Sequence, residues 1–325
     1  MIAAGHALGA LVAAIPSPEQ GVWYLGPIPL RAYALIILAG IALAWWITDR
    51  RYVRRGGPAE TVLDVAVWAV LFGIVGARIY HVVTLPEPFF GPDGDPLRIF
   101  QIWTGGLGIM GGVAFGALGA WIALRRRGLR LAPFADALAP GILVAQAVGR
   151  WGNWFNQELF GRPTTLPWGL EIDDAHLPAG HASGTLFHPT FLYESLWNLL
   201  GAGVLVALDR RFRFTHGRLF ALYLLWYGVG RCVVESLRID TAEYVLGLRV
   251  NLFFALVLVT VALVAVVLTT LAARRDPGLR IWLPGREPQE ADGAARDRGT
   301  ADPGDTAATR RQDSETHSLP RGDTV

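Results

Sequence analysis

Seven long apolar blocks constrain this chain more than anything else in it. They fall at residues 32–48, 62–83, 105–124, 133–148, 189–208, 219–237 and 250–273. Each comes near the roughly 20 residues that a helix needs to cross a bilayer. In hydrocarbon the backbone must satisfy its own hydrogen bonds, so blocks of this length fold as spanning helices. Only 17% of the residues are charged, against about a quarter in a soluble domain. The expected fold is all-α: an integral membrane protein with seven transmembrane helices.

Arginine placement orients the helices. Arg50, Arg51, Arg54 and Arg55 follow the first block, and Arg125, Arg126, Arg127 and Arg130 lie between the third and fourth. Arg210, Arg211, Arg213 and Arg218 lie between the fifth and sixth, and Arg274 and Arg275 follow the seventh. With seven spans all four clusters fall on one side, which is the positive-inside pattern. That side is expected to be cytoplasmic. The N-terminus, the 85–104 loop, the polar segment 149–187 and the 239–249 turn then face outward. Dropping one span would scatter the clusters. The chain divides into a membrane domain, 1–275, and a tail, 276–325. The tail is rich in Gly, Pro, Asp, Arg and Thr, with Ile281, Trp282 and Leu283 as its one bulky apolar run, and is expected to be disordered in the cytoplasm. The apolar piece at 7–15 lacks a positive flank, so no cleavable signal peptide is expected.

Composition excludes several chemistries. The chain has no lysine, so it forms no Schiff base and has no lysine nucleophile. Cys232 is its single cysteine, which excludes an internal disulfide and a cysteine metal cluster; it is expected as a small buried hydrophobe. The histidines, at 6, 81, 176, 181, 188, 216 and 317, are scattered, so neither a metal nor another cofactor is expected. There is no Gly-x-Ser-x-Gly elbow, His-Glu-x-x-His pair or Walker loop, and a net charge of +2 does not point to nucleic acid.

Where the fourth block ends, the chain runs Gly149-Arg150-Trp151-Gly152-Asn153-Trp154-Phe155-Asn156-Gln157-Glu158-Leu159-Phe160-Gly161-Arg162-Pro163. No other stretch is so dense in hydrogen-bonding groups. Such residues at the end of a spanning helix are costly unless they face a cavity or a ligand. Other isolated polar groups share the outer half of the membrane: Tyr33, Arg78, Glu194 after His188-Pro189, and Tyr227, Arg231 and Glu235 on one face of the sixth helix. Arg231 with Glu235 reads either as an ion pair tying helices or as part of an anion site. Arg78 and Arg238 read either as site residues or as side chains snorkelling to headgroups. Asp136, inside the fourth helix, reads as a helix-tying hydrogen-bond acceptor. Together these residues predict an outward-facing cavity for an anionic, lipid-borne ligand. They do not separate a lipid-modifying enzyme from a transporter or flippase that binds the same headgroup without chemistry, or from a scaffold whose charges only tie helices.

The run from Gly149 to Arg162 closely resembles the signature Gly-Arg-x-Gly-Asn-x-x-Asn-x-Glu-x-x-Gly-Arg of the bacterial prolipoprotein diacylglyceryl transferase family. Three further pieces resemble the same family in the same order. They are Gly26-Pro27 through Arg31-Ala32-Tyr33, His188-Pro189-Thr190-Phe191-Leu192-Tyr193-Glu194 (with Phe191 in place of the usual Gln), and Tyr227-Gly228-Val229-Gly230-Arg231-Cys232-Val233-Val234-Glu235. The resemblance spans about residues 22–272 and leaves the tail outside.

That resemblance implies a multi-pass enzyme of the bacterial cytoplasmic (inner) membrane, with its N-terminus outside and its C-terminus in the cytoplasm. It implies transfer of the diacylglyceryl group of phosphatidylglycerol to the thiol of a lipobox cysteine, carried by a prolipoprotein signal peptide, with release of glycerol phosphate. It gives Arg150 and Arg231 the lipid phosphate, Asn153 a further bond to the headgroup, and Tyr33 and Tyr227 the pocket walls. Gly152 and Gly161 would allow close backbone approach. Glu158 and Glu235 would orient the arginines or take the thiol proton, and Arg78, His188 and Glu194 are further candidates. The family's Gly-Gly-x-x-x-His-Gly-Gly run reads Gly105-Gly106-Leu107-Gly108-Ile109-Met110-Gly111-Gly112 here. Met110 cannot accept a proton, so the base is left open among Glu158, Glu235, Tyr33 and water.

Overall fold

The computed structural model describes residues 14–240, 244–278 and 280–287. Most of the 7–15 piece and the tail from 288 onward lie outside the described residues. The long apolar blocks form α1 (Ala32–Arg54), α2 (Thr61–Thr84), α4 (Ile109–Arg126), α5 (Leu131–Phe155), α6 (Thr190–Phe212), α7 (Arg218–Leu237) and α8 (Val250–Arg275). A single turn, α3 (Glu87–Phe90), and two short 3₁₀ segments fill the α2–α4 connection. Six of these helices are long and apolar enough to cross a membrane among the described residues. α4 falls short: it has 18 residues and closes on Arg125 and Arg126, which at 1.5 Å per residue gives roughly 27 Å against a hydrocarbon core of roughly 30 Å. The expected third block began at 105, but Gly105 and Gly106 have positive φ (93° and 75°) and belong to the preceding loop.

Three antiparallel hairpins, not foreseen in the all-α reading, sit outside the spans. They are β1 (Val22–Leu25) with β2 (Ile28–Arg31), β3 (Leu170–Glu171) with β4 (Leu186–Phe187), and β5 (Tyr244–Val245) with β6 (Leu248–Arg249). Strands of two to four residues are too short to show an alternating apolar pattern.

The arginine-rich helix ends meet. Asp209 at the end of α6 binds Arg51 and Arg55 at the end of α1, at 2.9 and 2.6 Å. Asp64 near the start of α2 pairs with Arg127 just past α4. Asp136 in α5 is fully buried and accepts from the Gly217 and Phe220 amides at 3.0 and 3.1 Å, capping the first turn of α7. The tail begins later than 276: Ile281 is buried, the Arg130 amide donates to its carbonyl at 2.8 Å, and the Leu283 amide donates to Gly128 at 2.7 Å. The apolar run that was grouped with the tail completes a core with Tyr52, Leu124, Leu129 and Phe134. Burying Ile281 removes apolar area from water, which accounts for its docking.

Two more cores lie along the bundle. Leu143, Leu205, Leu219 and Tyr223 pack α5, α6 and α7 together. At the far end Phe160, Leu170, Ile172, Phe187 and Phe191 fill a small layer under the 156–188 segment. Much of the bundle's perimeter is bare leucine, isoleucine and valine, such as Leu38, Leu71, Val75 and Leu263, an apolar exposure that suits lipid rather than water.

Candidate anion site where α5 ends and α6 starts

The site is built where α5 ends and α6 starts. Arg150, Asn153 and Glu194 are each within a turn or two of those ends. Arg150 Nη2 lies 2.7 Å from Glu194 Oε2, and Arg231 Nη1 approaches the same oxygen at 3.9 Å. One carboxylate thus sits between guanidinium groups from two other helices. Glu194 is buried, with 10% of its side chain exposed, while Arg150 and Arg231 keep 21% and 15% open.

The α6–α7 spacing that allows this is set by a tryptophan pair. The rings of Trp197 and Trp226 stack at 4.5 Å, and each indole N–H donates to the other's backbone carbonyl, at 3.1 and 3.0 Å. Gly201 and Gly230 make room, because a Cβ on either would overlap the facing indole. Glu194 stands one turn before Trp197, and Arg231 follows Gly230, so the lock fixes their approach.

Arg231 continues into a second cluster. Glu235 is completely buried. Its Oε1 accepts from Arg249 Nε at 3.0 Å and from Asn251 Nδ2 at 3.2 Å. Its Oε2 faces Arg231 at 2.9 Å and Arg238 at 3.7 Å as charge contacts without aligned hydrogen bonds. Arg238 in turn forks onto Asp240 at 2.7 and 2.9 Å. Burial alone would raise the Asp240 carboxyl, but Arg238 and Arg249 outweigh it and hold its pKa below the ordinary carboxylate value. For Arg238 the desolvation works downward and the Asp240 and Glu235 charges more than offset it.

Glu158 belongs to a separate, open arrangement. It is exposed, and its Oε1 accepts from Asn153 Nδ2 at 2.9 Å and Asn156 Nδ2 at 3.1 Å. Arg150 Nη1 donates to Asn153 Oδ1 at 3.4 Å, so Asn153 links the arginine to the glutamate. The loop around Glu158 is strained: Gln157 and Leu159 on either side have φ of 51° and 60°. Left-handed non-glycine backbone of this kind costs about 1–3 kcal/mol and persists only when its surroundings fix it. Here Thr190 Oγ1 donates to the Leu159 carbonyl at 2.6 Å, and Gln157 exchanges bonds with Asp173.

Gly152 and Gly161 of the signature allow close packing. A Cβ on Gly152 would lie 2.6 Å from the Tyr33 ring, so this residue seats Tyr33, itself 38% exposed, against the Arg150 turn. A Cβ on Gly161 would lie 2.7 Å from His188 Cβ. Gly161 is therefore buried under His188 and places the loop, rather than offering its backbone to the cluster. Tyr227 lines a crevice with Glu194, Asn198 and Arg231. The crevice has about 10 Å³ of room, close to what one water needs and far below the roughly 300–1,000 Å³ of small-molecule pockets.

Two sequence candidates stand elsewhere. Arg78 is buried and spends its guanidinium on the carbonyls of Arg98, Ile99, Gly105 and Gly106, with 2.8 Å to both Ile99 and Gly105. It holds the loop that leads to Met110, which is half exposed. His188 Nδ1 meets the Tyr193 hydroxyl at 3.2 Å, and Tyr193 also receives the Trp168 indole N–H. Backbone carbonyls hold the head of Arg78, and Asp240 and Glu235 hold that of Arg238. Cys232, expected to be buried, is half-buried. Arg249, Asn251 and Asp240 were missed. The signal for Arg249 and Asn251 was their place at the head of α8, the most apolar of the six candidate spans, where polar side chains need a reason.

The sequence matches the model of the family described as prolipoprotein diacylglyceryl transferase over residues 20–268. A phosphatidylglycerol–prolipoprotein diacylglyceryl transferase 2 of Streptomyces coelicolor is 55% identical over 268 residues, covering 82% of this chain and 84% of the relative. A phosphatidylglycerol–prolipoprotein diacylglyceryl transferase of Streptomyces griseus is 53% identical over 87% of this chain and 86% of its own length. One of Frankia casuarinae is 53% identical over 90% of this chain and 69% of its own.

Proposed function

The chain belongs to the prolipoprotein diacylglyceryl transferase family, and from that premise we propose that it moves the diacylglyceryl group of phosphatidylglycerol onto prolipoproteins. The acceptor is the thiol of a lipobox cysteine. The thiolate sulfur attacks the glycerol carbon that bears the phosphate, a C–S bond forms, and the C–O bond breaks with its electron pair on the departing glycerol phosphate. The observation that carries the site assignment is the convergence of Arg150 and Arg231 on Glu194. Two fixed guanidinium groups on separate helices suit one phosphate, and their fork geometry favours bidentate contact. Glu194 keeps them side by side. As charge builds on the leaving phosphate, the arginines stabilise it without reorganising.

Asn153 adds a donor beside Arg150, and Tyr33 and Tyr227 flank the headgroup. Glu158 takes the thiol proton: it is exposed, next to Arg150 and already positioned by two asparagines. A free thiol, with a pKa of about 8.5, needs such help near neutral pH. Glu235, enclosed by arginines, orients Arg231 instead. Met110 takes no part in proton transfer. We place the arginine-rich end in the cytoplasm and the anion site at the outer leaflet of the inner membrane, with α4 crossing as a seventh span against α2. The 10 Å³ crevice then widens, or the lipid arrives from the side of Arg150.

The test is the purified protein in detergent with phosphatidylglycerol and a lipobox peptide, read by peptide mass and released glycerol phosphate. A diacylglyceryl mass gain on the cysteine is expected. In Arg150→Ala it should fall by about 10²–10³-fold, the usual cost of losing one transition-state donor. No gain from folded protein that still binds the lipid would sink the transferase reading in favour of a binding or transport role. A gain that survives Arg150→Ala would move the phosphate away from this arginine.

A further inference from the structure

At the arginine-rich end, away from the anion site, a groove of about 400 Å³ opens between α1 and α6. Both helices pack on α5, whose Pro140 and Val144 form the floor. Ile47 is the α1 wall. The α6 wall runs Gly203, Val206, Arg210 on one face, a rise of roughly 10 Å. The groove exists because this face of α6 is small: nothing lies within 4 Å of where a Cβ on Gly203 would stand. Such a volume is in the range of small-ligand sites, and its walls are apolar except at one end.

That end is basic. Arg51, one turn past Ile47, and Arg55 reach across from α1 to Asp209 on α6. Arg210, the next residue, is exposed and has no ion-pair partner among the described residues. Arg51 and Arg55 thus share one carboxylate, and Arg210 beside them is left without one.

We propose that this groove holds one acyl chain of an anionic phospholipid from the leaflet at the arginine-rich end, with the lipid phosphate on Arg210. Apolar walls take the chain, and the unneutralised guanidinium selects the headgroup, as basic residues near a membrane surface do for anionic lipids. The site is separate from Arg150 and Arg231 and needs only that the helices cross a bilayer; it does not depend on the transferase reading.

Native mass spectrometry of the full chain in detergent, titrated with dioleoyl phosphatidic acid or dioleoyl phosphatidylcholine, tests it. Arg150→Ala serves as the background, to silence the anion site at the other end. Phosphatidic acid should bind that protein at one site, and Gly203→Leu, which fills an open position, should remove it. Arg210→Gln should weaken it by about fivefold, the effect of one basic residue at a membrane surface. Phosphatidylcholine should bind poorly to all of them. In the otherwise unaltered protein both variants should keep the transfer rate within twofold. Equal phosphatidic acid binding with and without Gly203→Leu overturns the site, as adventitious lipid at the perimeter would give that result. Equal retention of phosphatidylcholine overturns the role of Arg210. A dimer that Gly203→Leu dissociates would make the occupant a second copy of this chain, and would overturn the lipid.

Discussion

The α2–α4 pair and the α5–α6–α7 group pack helices in opposite ways. α2 and α4 meet through glycines. A Cβ on Gly119 would lie 2.6 Å from the Trp68 carbonyl, and a Cβ on either Gly76 or Gly111 would overlap the other's carbonyl oxygen. Lipid gives no hydrophobic push between helices, so close backbone approach supplies the attraction. α5, α6 and α7 instead converge, at the ends away from the arginine clusters, on Arg150, Glu194, Arg231 and Glu235. Buried ion pairs of this kind contribute little net stability, since desolvation offsets the Coulomb gain. The proposed anion site gives that junction a use that the glycine-packed pair does not need.

The largest expected effect would break that contrast from the charged side. Glu235→Ala leaves Arg231, Arg238 and Arg249 facing one another without their buried partner. Removing one member of a buried pair costs about 3–5 kcal/mol, so the variant should lose both its thermal transition in detergent and its transfer activity. If the transition persists unshifted, Glu235 is not the keystone of the cluster.

Glu194→Gln sharpens the contrast. It keeps the shape and a carbonyl oxygen between Arg150 and Arg231 but removes the charge that holds them. The expected result is a fall of about 10- to 100-fold in kcat/KM, following the 1.5–3 kcal/mol of a charged hydrogen bond, with the thermal transition moved by less than a degree or two. An equal loss of stability would make Glu194 a tie between helices, and the α5–α6–α7 junction no different in kind from α2–α4.

Gly119→Leu probes the other region. Overpacking costs about 1–3 kcal/mol, so the transition temperature should drop. Transfer per folded molecule should stay within twofold, because Gly119 lies toward the arginine-rich end of α4. Lost activity in protein that remains folded would show that α2–α4 spacing is part of the site, through Arg78 and the loop it carries to Met110.

The sequence reveals these two regions unequally. The helices were legible because lipid demands long apolar runs, and the arginine clusters marked one end, where Asp209 and Asp136 now bind. The signature around Arg150 was legible because so many polar residues crowd a helix end. The central place of Glu194 was not, since it depends on α6 lying against α5 and on the Trp197–Trp226 lock. The same holds for Arg249, which reaches Glu235 from 14 residues away across the β5–β6 hairpin. Hairpins of two residues leave no periodicity to read. α4 shows the limit for spans: its glycines, which make the α2 contact, also dilute the hydropathy that would mark it.

The smallest expected effect concerns the rim of the charged cluster. Asp240 keeps 31% of its side chain exposed and is gripped by Arg238 and Arg249, which hold its carboxyl below the ordinary value. A carboxylate with a depressed folded-state pKa stabilises the protein above its unfolded value of about 3.9, and the benefit is lost as pH falls through the folded value. Exposure and salt screening limit it to below about 1 kcal/mol. Asp240→Asn should therefore lower the thermal transition slightly at pH 7, and the gap from the parent protein should close as the pH approaches 3. A gap that stays constant with pH would mean that Asp240 acts through hydrogen bonding alone. A large gap at pH 7 would place Asp240 in the buried junction, extending the charged region from Glu235 out to the 238–240 turn.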